Sequence, residues 1–576
     1  MLLNKKWVPF IISLILRIFL YGTIYAKIAH ILTGLYYASM FSLQSIKNLK
    51  YKIVGIDLLI TIAVFGALII GEYWEMASVT FLYLFGNELE KQALYKTNER
   101  LRDMMKLVPT NLRLENNELV SIEEIDIGTK IKVLQGEIIP VDGLIVTGDS
   151  TIDESSITGE SLPIYKSIND FVYMGTIVKE GFIIVETSAI EEDTIYGQIL
   201  DLIETAQNRK SNFQRTIDKF SQYYTPFVII LSFIAFIILK DIHIALSLLV
   251  VSCPGALVIA IPIASSIALG NAAKSNILIK GIDVLESLNT MQTIAFDKTG
   301  TLTKNELKVI KVIAYKKNEE EILNIAASIE SHSEHPIANA IVKQFQNYNY
   351  KCENLEFIAG KGIIAYINDK KYIVGQESLF SFEVEHYSNT TVYVGDDNEI
   401  FGIILLSDTI REDAKNVISD LSSFNIMMLT GDNYDSAVEV GNYIGISNIK
   451  SRLLPEEKLQ IIRDSENIIM VGDGINDSPS LMESDIGISM GGSENRVAME
   501  TSDVILMDKN LKSIPKLIKL AKKTKHVMIQ NMSIAILTAL VLFAGVLDSK
   551  INLSIGMLVH ELSILAVIIN ANRLRW

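Results

Sequence analysis

The sequence predicts a multi-pass α-helical membrane protein that also carries cytoplasmic domains, one of them a doubly wound α/β domain. Three observations support this fold class. Of 576 residues, 49% are hydrophobic and only 21% are charged. The apolar residues gather into segments of about 20 residues, the length that crosses a bilayer. Two long polar stretches separate these segments, and in the second stretch short apolar strands alternate with helical patterns.

Eight segments are predicted to cross the membrane, in three blocks: Trp7–Ala26, Ile28–Ile46, Ile53–Ile70 and Met76–Leu94; Tyr223–Leu239 and Ile242–Leu269; Val527–Leu547 and Asn552–Asn572. Lysines and arginines cluster at the ends that this arrangement places in the cytoplasm, in agreement with the positive-inside rule. Residues 1–26 begin like a signal peptide, but Arg17 interrupts the apolar run and no small-residue cleavage site follows. We therefore predict a retained helix there.

Charge and cysteine content exclude several classes of protein. The 52 Lys and Arg residues against 67 Asp and Glu residues leave a net charge of −15, so we expect no nucleic-acid partner. The two cysteines, Cys253 and Cys352, are too few and too far apart for a disulfide framework or a CxxC module.

A candidate catalytic motif follows the predicted strand Thr293–Phe296: Asp297-Lys298-Thr299-Gly300-Thr301. Ligands of open α/β sheets bind beyond the carboxyl ends of strands, which is where this aspartate is placed. A carboxylate there can act as a nucleophile toward phosphorus and form an aspartyl-phosphate. Taken alone, Asp297 would be interpreted as an ordinary turn residue.

Three further segments point to the same chemistry: Thr430-Gly431-Asp432 after the strand Ile426–Leu429, Lys458 in Pro455-Glu456-Glu457-Lys458, and Asp473-Gly474-Ile475-Asn476-Asp477 after Ile468–Val471. A hydroxyl and exposed backbone amides suit phosphate oxygens, and a lysine suits the charge that develops in phosphoryl transfer. Carboxylate oxygens suit Mg²⁺. Each segment alone is weak, but their order is specific.

In this order the motifs resemble the P-type ATPases, whose phosphorylation domain belongs to the haloacid-dehalogenase superfamily. The resemblance implies that ATP phosphorylates Asp297, and that Asp297, the Thr299 carbonyl and Asp473 hold Mg²⁺ with Asp477 close by. It further implies that Lys458 and Thr430 contact the transferred phosphoryl group.

The first polar stretch contains short β-like runs such as Lys130–Leu134 and Phe182–Thr187, which predict a mostly-β domain. It resembles the actuator domain of the same family. Its loop Thr158-Gly159-Glu160-Ser161 matches the segment whose glutamate positions water for hydrolysis of the phosphoenzyme. A glutamate on a glycine-containing turn is suited to act there as a general base. The preceding Pro140-Val141-Asp142-Gly143 also fits the actuator pattern; without the family it would be interpreted as a turn.

The insertion between Asp297 and Thr430 resembles the compact nucleotide-binding domain of heavy-metal-transporting P-type ATPases. Ser333-Glu334-His335-Pro336, at a predicted helix start, resembles the motif of that class, whose histidine faces adenine. Gly360 and Gly362 would let the backbone approach the nucleotide closely. The sequence departs from the class pattern at Val374-Gly375-Gln376, where Gly-Asn is expected.

The predicted transport site lies in the sixth crossing, at Cys253-Pro254-Gly255. Proline removes one backbone hydrogen bond, which predicts a free Val250 carbonyl, and the thiolate is a soft metal ligand. The alternative to a metal site is a simple proline kink with a packed cysteine. The family usually has Cys-Pro-Cys or Ser-Pro-Cys at this position, so Gly255 replaces the second thiol.

The last crossing carries His560-Glu561-Leu562-Ser563, and ionisable residues inside a membrane are functional hypotheses by default. The segment resembles the His-Glu-Gly motif of the cobalt and zinc branch, with Leu562 in place of glycine. Cys253, His560 and Glu561 together form a mixed set of donors that favours Zn²⁺, with Cd²⁺ and Co²⁺ close behind. Ala539 stands where the zinc branch has a lysine.

These expectations define a complete pump. Its predicted domains are four transmembrane helices in 1–96, the actuator in 97–220, two helices in 221–273, the phosphorylation domain in 274–307 and 402–520, the nucleotide-binding domain in 308–401, and two helices in 521–576. We expect a monomer in the plasma membrane that exports a divalent transition metal at the expense of ATP. Two alternatives stay open: a membrane-anchored phosphohydrolase or metal sensor, and a pump for another cation such as Cu⁺.

Overall fold

The computed structural model of the chain describes residues 5–50, 56–105, 111–155, 163–380, 390–474, 477–491 and 496–575. The chain divides into two units, one comprising residues 1–289 and 517–576 and the other residues 290–516. Each unit is described by itself, in chain order.

The first block of apolar sequence forms four helices: α1 (Val8–Phe19), α2 (Ile24–Lys50), α3 (Ile56–Ile70) and α4 (Tyr73–Met105). The predicted crossing Trp7–Ala26 is wrong, because the helix ends at Phe19 and the chain turns at Gly22, whose φ is +80°. The Arg17 guanidinium at this end lies 4.4 Å from the Tyr21 ring centroid and 5.5 Å from that of Trp74. Its charge is therefore held by aromatic faces.

The actuator region forms a β-domain whose strands are β1 (Asn111–Arg113), β2 (Leu119–Ser121), β3 (Lys130–Leu134), β4 (Asp142–Asp153), β5 (Ile164–Lys166), β6 (Phe171–Val172) and β7 (Ile177–Ala189), followed by helix α5 (Ile195–Asn208). Strands β3, β7, β4 and β5 pair in that order, and all these pairs are antiparallel. Alternate residues of β3, β4 and β7 fill the core, as a sheet with one buried face requires. The prediction of a mostly-β domain is confirmed.

The structure explains why the Pro140-Val141-Asp142-Gly143 segment has an aspartate and a glycine at its last two positions. The buried Asp142 carboxylate accepts hydrogen bonds from the Met174 and Ile195 amides, both at 2.7 Å, and so joins β4 to the start of α5. Burial raises the pKa of this carboxyl. A Cβ at Gly143 would lie 2.1 Å from the Glu186 carbonyl oxygen, so the close approach of β7 requires glycine.

The second membrane block forms α6 (Asn212–Leu239), α7 (Ile242–Val251) and α8 (Gly255–Lys274), and then β8 (Ile277–Ile279) and α9 (Ile282–Ser287). Helices α7 and α8 are separated at Ser252–Pro254, which confirms the predicted interruption. The prediction of a free Val250 carbonyl is wrong, because this carbonyl accepts a hydrogen bond from the Cys253 amide at 3.3 Å. The proline removes one bond and a tighter turn supplies another.

The second unit contains a parallel sheet that carries the phosphorylation motif. Its strands are β9 (Thr293–Asp297), β16 (Asn425–Leu429), β17 (Asn448–Lys450), β18 (Ile468–Gly472), β19 (Ile486–Met490) and β20 (Val504–Leu506), which pair in the order β17-β16-β9-β18-β19-β20. The helices between them are α12 (Ala414–Asp420), α13 (Tyr434–Ile444), α14 (Pro455–Arg463), α15 (Ser478–Glu483) and α16 (Arg496–Thr501). This is the predicted doubly wound α/β arrangement.

An antiparallel sheet is inserted between β9 and β16. Its strands are β10 (Thr303–Ala314), β11 (Cys352–Ile358), β12 (Gly362–Ile367), β13 (Lys370–Gly375), β14 (Thr390–Gly395) and β15 (Ile400–Ile410), in the order β10-β15-β14-β13-β12-β11. Helices α10 (Glu319–Glu330) and α11 (Pro336–Gln344) contribute to its hydrophobic core.

The last apolar block forms α17 (Ser513–Leu547) and α18 (Leu553–Ala571). Within the described ranges, four helical segments are long and apolar enough to cross a membrane: Asn212–Leu239, Ile242–Lys274, Ser513–Leu547 and Leu553–Leu574. Val8–Phe19 and Asp57–Ile70 are shorter apolar helices.

Candidate functional site

Three of the predicted motifs meet at one edge of the parallel sheet. Asp297 is the last residue of β9, and the neighbouring strands β16 and β18 lead directly to Thr430 and Asp473. Because the strands are parallel, their carboxyl ends lie side by side. The sheet therefore brings together residues that are more than 170 positions apart in the sequence.

Lys458 joins two of the predicted carboxylates. Its Nζ lies 2.5 Å from Asp297 Oδ1 and 3.1 Å from Asp477 Oδ1. All three side chains are largely buried. The lysine reaches the sheet edge from the first turn of α14, which begins with Pro455, a residue suited to a first helical position.

The site concentrates negative charge out of water. Burial raises the pKa of Asp297, and so does the nearby Asp477 carboxylate, while Lys458 opposes both effects. The pKa of Asp477 is raised mainly by burial, again against Lys458. The lysine pKa is raised, because the two carboxylates outweigh its burial. The donor chemistry, carboxylate oxygens, suits Mg²⁺. In this conformation Lys458 lies between Asp297 and Asp477, and among the described residues no three acidic side chains are grouped closely enough to hold one ion.

The described side chains that follow Asp297 in the loop do not bond to Lys458. The Lys298 side chain is buried and forms an ion pair with Asp432, and burial lowers the pKa of Lys298. Thr299 is exposed. Gly300 has a φ of +76°, and a Cβ there would lie 3.6 Å from Asp473 Oδ2. The turn thus places the loop backbone next to Asp473.

The Thr430-Gly431-Asp432 segment is held by the connection between β17 and α14. The Thr430 amide donates to the Lys450 carbonyl at 2.9 Å, and the Leu453 amide donates to the Thr430 carbonyl at 3.1 Å. The Thr430 hydroxyl accepts a hydrogen bond from the Asp432 amide at 3.1 Å. Thr430 is buried and Gly431 is exposed at the sheet edge.

Two residues that sequence reasoning missed hold the Asp297 loop in place. Arg411 donates to the carbonyls of Thr301 at 2.8 Å and Gly300 at 3.1 Å. Asp408 accepts hydrogen bonds from the Thr303 hydroxyl and, at 2.8 Å, from the Glu306 amide. Both residues come after the apolar run Ile400–Leu406, but no spacing in the sequence marks them as contacts of the Asp297 loop.

Two predicted segments cannot be placed. Thr158, Gly159 and Glu160 lie outside the described residues, as do Ile475 and Asn476 of the second aspartate motif. The described strands on either side of the first segment, β4 and β5, pair with each other in antiparallel register.

The antiparallel sheet of the second unit holds a cavity of about 550 Å³. Its lining includes His335, Gly360 and Gly362 but not Glu334, which is exposed to solvent. His335 caps α11, and its Nδ1 accepts a hydrogen bond from the Ile337 amide at 3.3 Å. Gly362 and Gly375 are paired across β12 and β13, and a Cβ on Gly362 would lie 2.6 Å from Gly375 Cα.

Glu330, which was not predicted, lines the same cavity. The side chain lies at the end of α10 and is only 6% exposed. Burial raises the pKa of its carboxyl to about 7. The cavity therefore combines apolar walls and glycine backbone with one histidine and one buried carboxyl group, the features of a small-molecule site.

In the membrane region, Cys253 and His560 converge on Gly255. A Cβ placed on Gly255 would lie 3.1 Å from His560 Nε2 and 3.5 Å from Cys253 Sγ. Both side chains are buried. They also line a largely apolar cavity of about 450 Å³ that includes Ala539.

Glu561 takes a different direction from its neighbour His560. Its carboxylate packs against Gly86 of α4, where a Cβ would lie 1.7 Å from Glu561 Oε2. Successive helix residues point about 100° apart, so the two side chains face different helices. Among the described residues, no three His, Cys, Asp or Glu side chains are close enough to hold one ion. The predicted three-residue ligand set is thus not assembled in this conformation.

Two regions of the chain match known protein families. Residues 291–485 match the family model for haloacid dehalogenase-like hydrolases, and residues 105–204 match that of the P-type ATPase actuator domain. A crystal structure of a zinc-transporting PIB-type ATPase in the E2·Pi state is 31% identical, with a TM-score of 0.64 and coverage of 99% of this chain and 98% of that one. These matches define an ATP-hydrolysing cation pump with cytoplasmic catalytic domains.

Individual relatives narrow the family. A probable cadmium-transporting ATPase of Alkalihalophilus pseudofirmus is 34% identical over 94% of this chain and 82% of its own length. The cadmium-transporting ATPase of Staphylococcus aureus is 34% identical over 90% of this chain and 77% of its own. A cadmium/zinc-transporting ATPase of Oryza sativa is 35% identical over 87% of this chain and 51% of its own length. The chain belongs to the heavy-metal-transporting P-type ATPases.

Proposed function

We propose that this pump exports Zn²⁺ or Cd²⁺, with Co²⁺ as the next candidate, from the cytoplasm through an aspartyl-phosphate on Asp297. The observation that carries the choice of ion is the convergence of Cys253 Sγ and His560 Nε2 on the same point beside Gly255. The names of the relatives, which transport cadmium or zinc, support the same choice.

The donor chemistry separates divalent ions from Cu⁺. A thiolate with an imidazole suits Zn²⁺ and its close neighbours, whereas Cu⁺ prefers several soft sulfur ligands. Gly255 occupies the position where a second thiol would stand, and the other cysteine, Cys352, lies in β11 of the second unit. Glu561, packed on α4, would serve as a ligand only after a change of conformation.

In the phosphorylation step, an Asp297 carboxylate oxygen attacks the γ-phosphorus of ATP, and the bond to the β-phosphate oxygen breaks to release ADP. Lys458, 2.5 Å from the nucleophile, is placed to stabilise charge on the transferred group. Asp297, the Thr299 carbonyl, Asp473 and Asp477 would hold Mg²⁺, which neutralises phosphate charge when bound.

Hydrolysis of the phosphoenzyme returns Asp297 to its free carboxylate and releases inorganic phosphate. We assign the positioning of water to Glu160, on the loop with Thr158 and Gly159. This assignment rests on the matching actuator domain at residues 105–204, because the loop itself lies outside the described residues.

The cavity of the antiparallel sheet is proposed to bind the adenosine part of ATP. His335 offers a flat ring, Gly360 and Gly362 offer backbone without side chains, and Glu330 offers an acceptor for the adenine amino group. The working unit is proposed to be a monomer in the lipid bilayer.

The test is ATP-dependent uptake of metal into inside-out vesicles, compared across Zn²⁺, Cd²⁺, Co²⁺, Cu⁺, Mn²⁺ and Ca²⁺. We expect Zn²⁺ and Cd²⁺ to be taken up and Cys253→Ser to abolish uptake, while the matched control Cys352→Ser transports normally. Uptake of Cu⁺ or Ca²⁺ alone would contradict the proposed ion. Metal-stimulated phosphorylation without any uptake would instead favour a phosphohydrolase or sensor.

A further inference from the structure

Three membrane helices are joined by a buried polar bridge that no motif predicts. Asn531 of α17 has no exposed surface. Its Nδ2 donates a hydrogen bond to the Ala260 carbonyl of α8 at 3.0 Å, and its Oδ1 accepts one from Asn570 Nδ2 of α18 at 2.9 Å. We refer to Asn531, Asn570 and the Ala260 carbonyl as the latch.

The latch bonds α18, which carries His560, and α8, which begins two residues after Cys253. Ala260 is the sixth residue of α8, and Asn570 lies ten residues after His560 along α18. At 1.5 Å per residue, the latch lies about 8 Å from the start of α8 and about 15 Å from His560 along α18. The latch is thus outside the ligand shell, yet it ties both supporting helices to α17.

Neighbouring contacts reinforce the same end of the helices. Arg573 Nη1 donates to Asn570 Oδ1 at 3.0 Å and to Gln530 Oε1 at 3.3 Å. The Asn271 side chain of α8 donates to the Leu574 carbonyl just beyond α18. The far end of α18 is therefore bonded to both α8 and α17 by polar groups.

Such a bridge is well suited to set a distance. An asparagine buried among apolar helices loses hydrogen bonds if either helix shifts, and unsatisfied polar groups are costly in the membrane. A zinc ion needs sulfur at about 2.3 Å and nitrogen at about 2.0 Å, so the two ligand helices must keep their spacing to a few tenths of an ångström.

We propose that Asn531 is a positioning residue that keeps Cys253 and His560 in register and thereby sets the affinity of the pump for its ion. This role rests on the proposed function. Asn531 bonds to neither ligand, and it acts through its hydrogen bonds to α8 and α18.

The experiment uses the full-length protein with Cd²⁺ as the probe. The variants are Asn531→Leu, which removes both latch bonds, Asn570→Leu, which removes one, and the double variant. Ser533→Ala is the matched control, because Ser533 is an exposed residue of the same helix whose hydroxyl bonds to its own Ile529 carbonyl. Two quantities are measured: the Cd²⁺ concentration for half-maximal phosphorylation by ATP, and phosphorylation by inorganic phosphate without metal.

We expect Asn531→Leu to raise the half-maximal Cd²⁺ concentration at least fivefold and Asn570→Leu to raise it less. The effect of the double variant should be smaller than the sum of the two single effects, since both changes remove the shared Asn531–Asn570 bond. Phosphorylation by inorganic phosphate should stay normal, because the phosphorylation site is intact. Should Asn531→Leu fail to reach the membrane, Asn570→Leu tests the same bond at a partly buried position.

Three results would overturn the proposal: a half-maximal Cd²⁺ concentration equal to that of Ser533→Ala, a parallel loss of both readouts, or additive effects in the double variant. If the wild-type protein itself shows no metal-dependent phosphorylation, the proposed function fails and the latch role falls with it. A responsive wild type with unaffected variants removes the latch role alone.

Discussion

Glu330 provides a quantitative test of the nucleotide site. Its carboxyl group lines the cavity, is 6% exposed and has its pKa raised to about 7 by burial. With that pKa, roughly one-tenth of the groups are ionised at pH 6 and roughly nine-tenths at pH 8. The charge of Glu330 therefore changes across the range in which ATP binding is easily measured.

An ionised carboxylate accepts a hydrogen bond from the adenine amino group more strongly than a neutral acceptor does. If ATP binds only the ionised form, its affinity for the wild-type protein should rise by about tenfold from pH 6 to pH 8, in step with the ionised fraction. Glu330→Gln replaces the carboxylate by a neutral acceptor of similar size, so this part of the pH dependence should disappear.

The assay is ATP affinity of the full-length protein at several pH values, without transported metal. The phosphates of ATP also titrate in this range, but they are the same for both proteins, so the ratio of affinities isolates Glu330. Glu334→Gln is the matched control, because Glu334 is exposed and outside the cavity. Identical pH profiles for wild type and Glu330→Gln would refute the assignment of Glu330 to the adenine site.

Three other predictions concern single residues. Asp297→Asn should abolish the phosphoenzyme and Glu160→Gln should let it accumulate, as radiolabelled ATP would show; a hydroxylamine-labile adduct in Asp297→Asn would contradict the nucleophile. Gly86→Ala should reduce metal-stimulated ATPase activity at least tenfold, because a Cβ there would lie 1.7 Å from Glu561 Oε2; recovery of thermal stability in combination with Glu561→Gly would locate the clash. Asp142→Asn should lower the free energy of unfolding by about 1–3 kcal/mol, since one of the two backbone amides loses its acceptor. An unchanged melting temperature would argue against a stabilising role of Asp142.

The cytoplasmic chemistry was the more predictable part of the molecule. Asp297, Thr430 and Asp473 each follow an apolar strand, and the rule that ligands bind at the carboxyl ends of parallel strands places them together without further information. Arg411 and Asp408 were missed because their function is to hold loop backbone, and hydrogen bonds to backbone leave no recognisable spacing in the sequence.

The nucleotide cavity shows a finer limit of sequence reasoning. His335 of the Ser-Glu-His-Pro segment lines the cavity, but the carboxylate that enters it is Glu330 on the preceding helix, not the adjacent Glu334. Which of two nearby glutamates faces inward depends on how α10 and α11 pack on the sheet. The membrane helices add a similar case, since the first predicted crossing ends early at Phe19.

Apolar segment lengths and positively charged flanks were enough to predict the membrane helices, and the order of the aspartate motifs was enough to place the chain among the P-type ATPases, because each is a local property of the chain. Tertiary structure decided which side chains face each other. It turns His560 toward Cys253 and Glu561 toward Gly86, although the two residues are adjacent. It also bonds Asn531 to both α8 and α18. The physical reason is that helix packing selects which side chains meet, and one position along a helix changes that direction by about 100°.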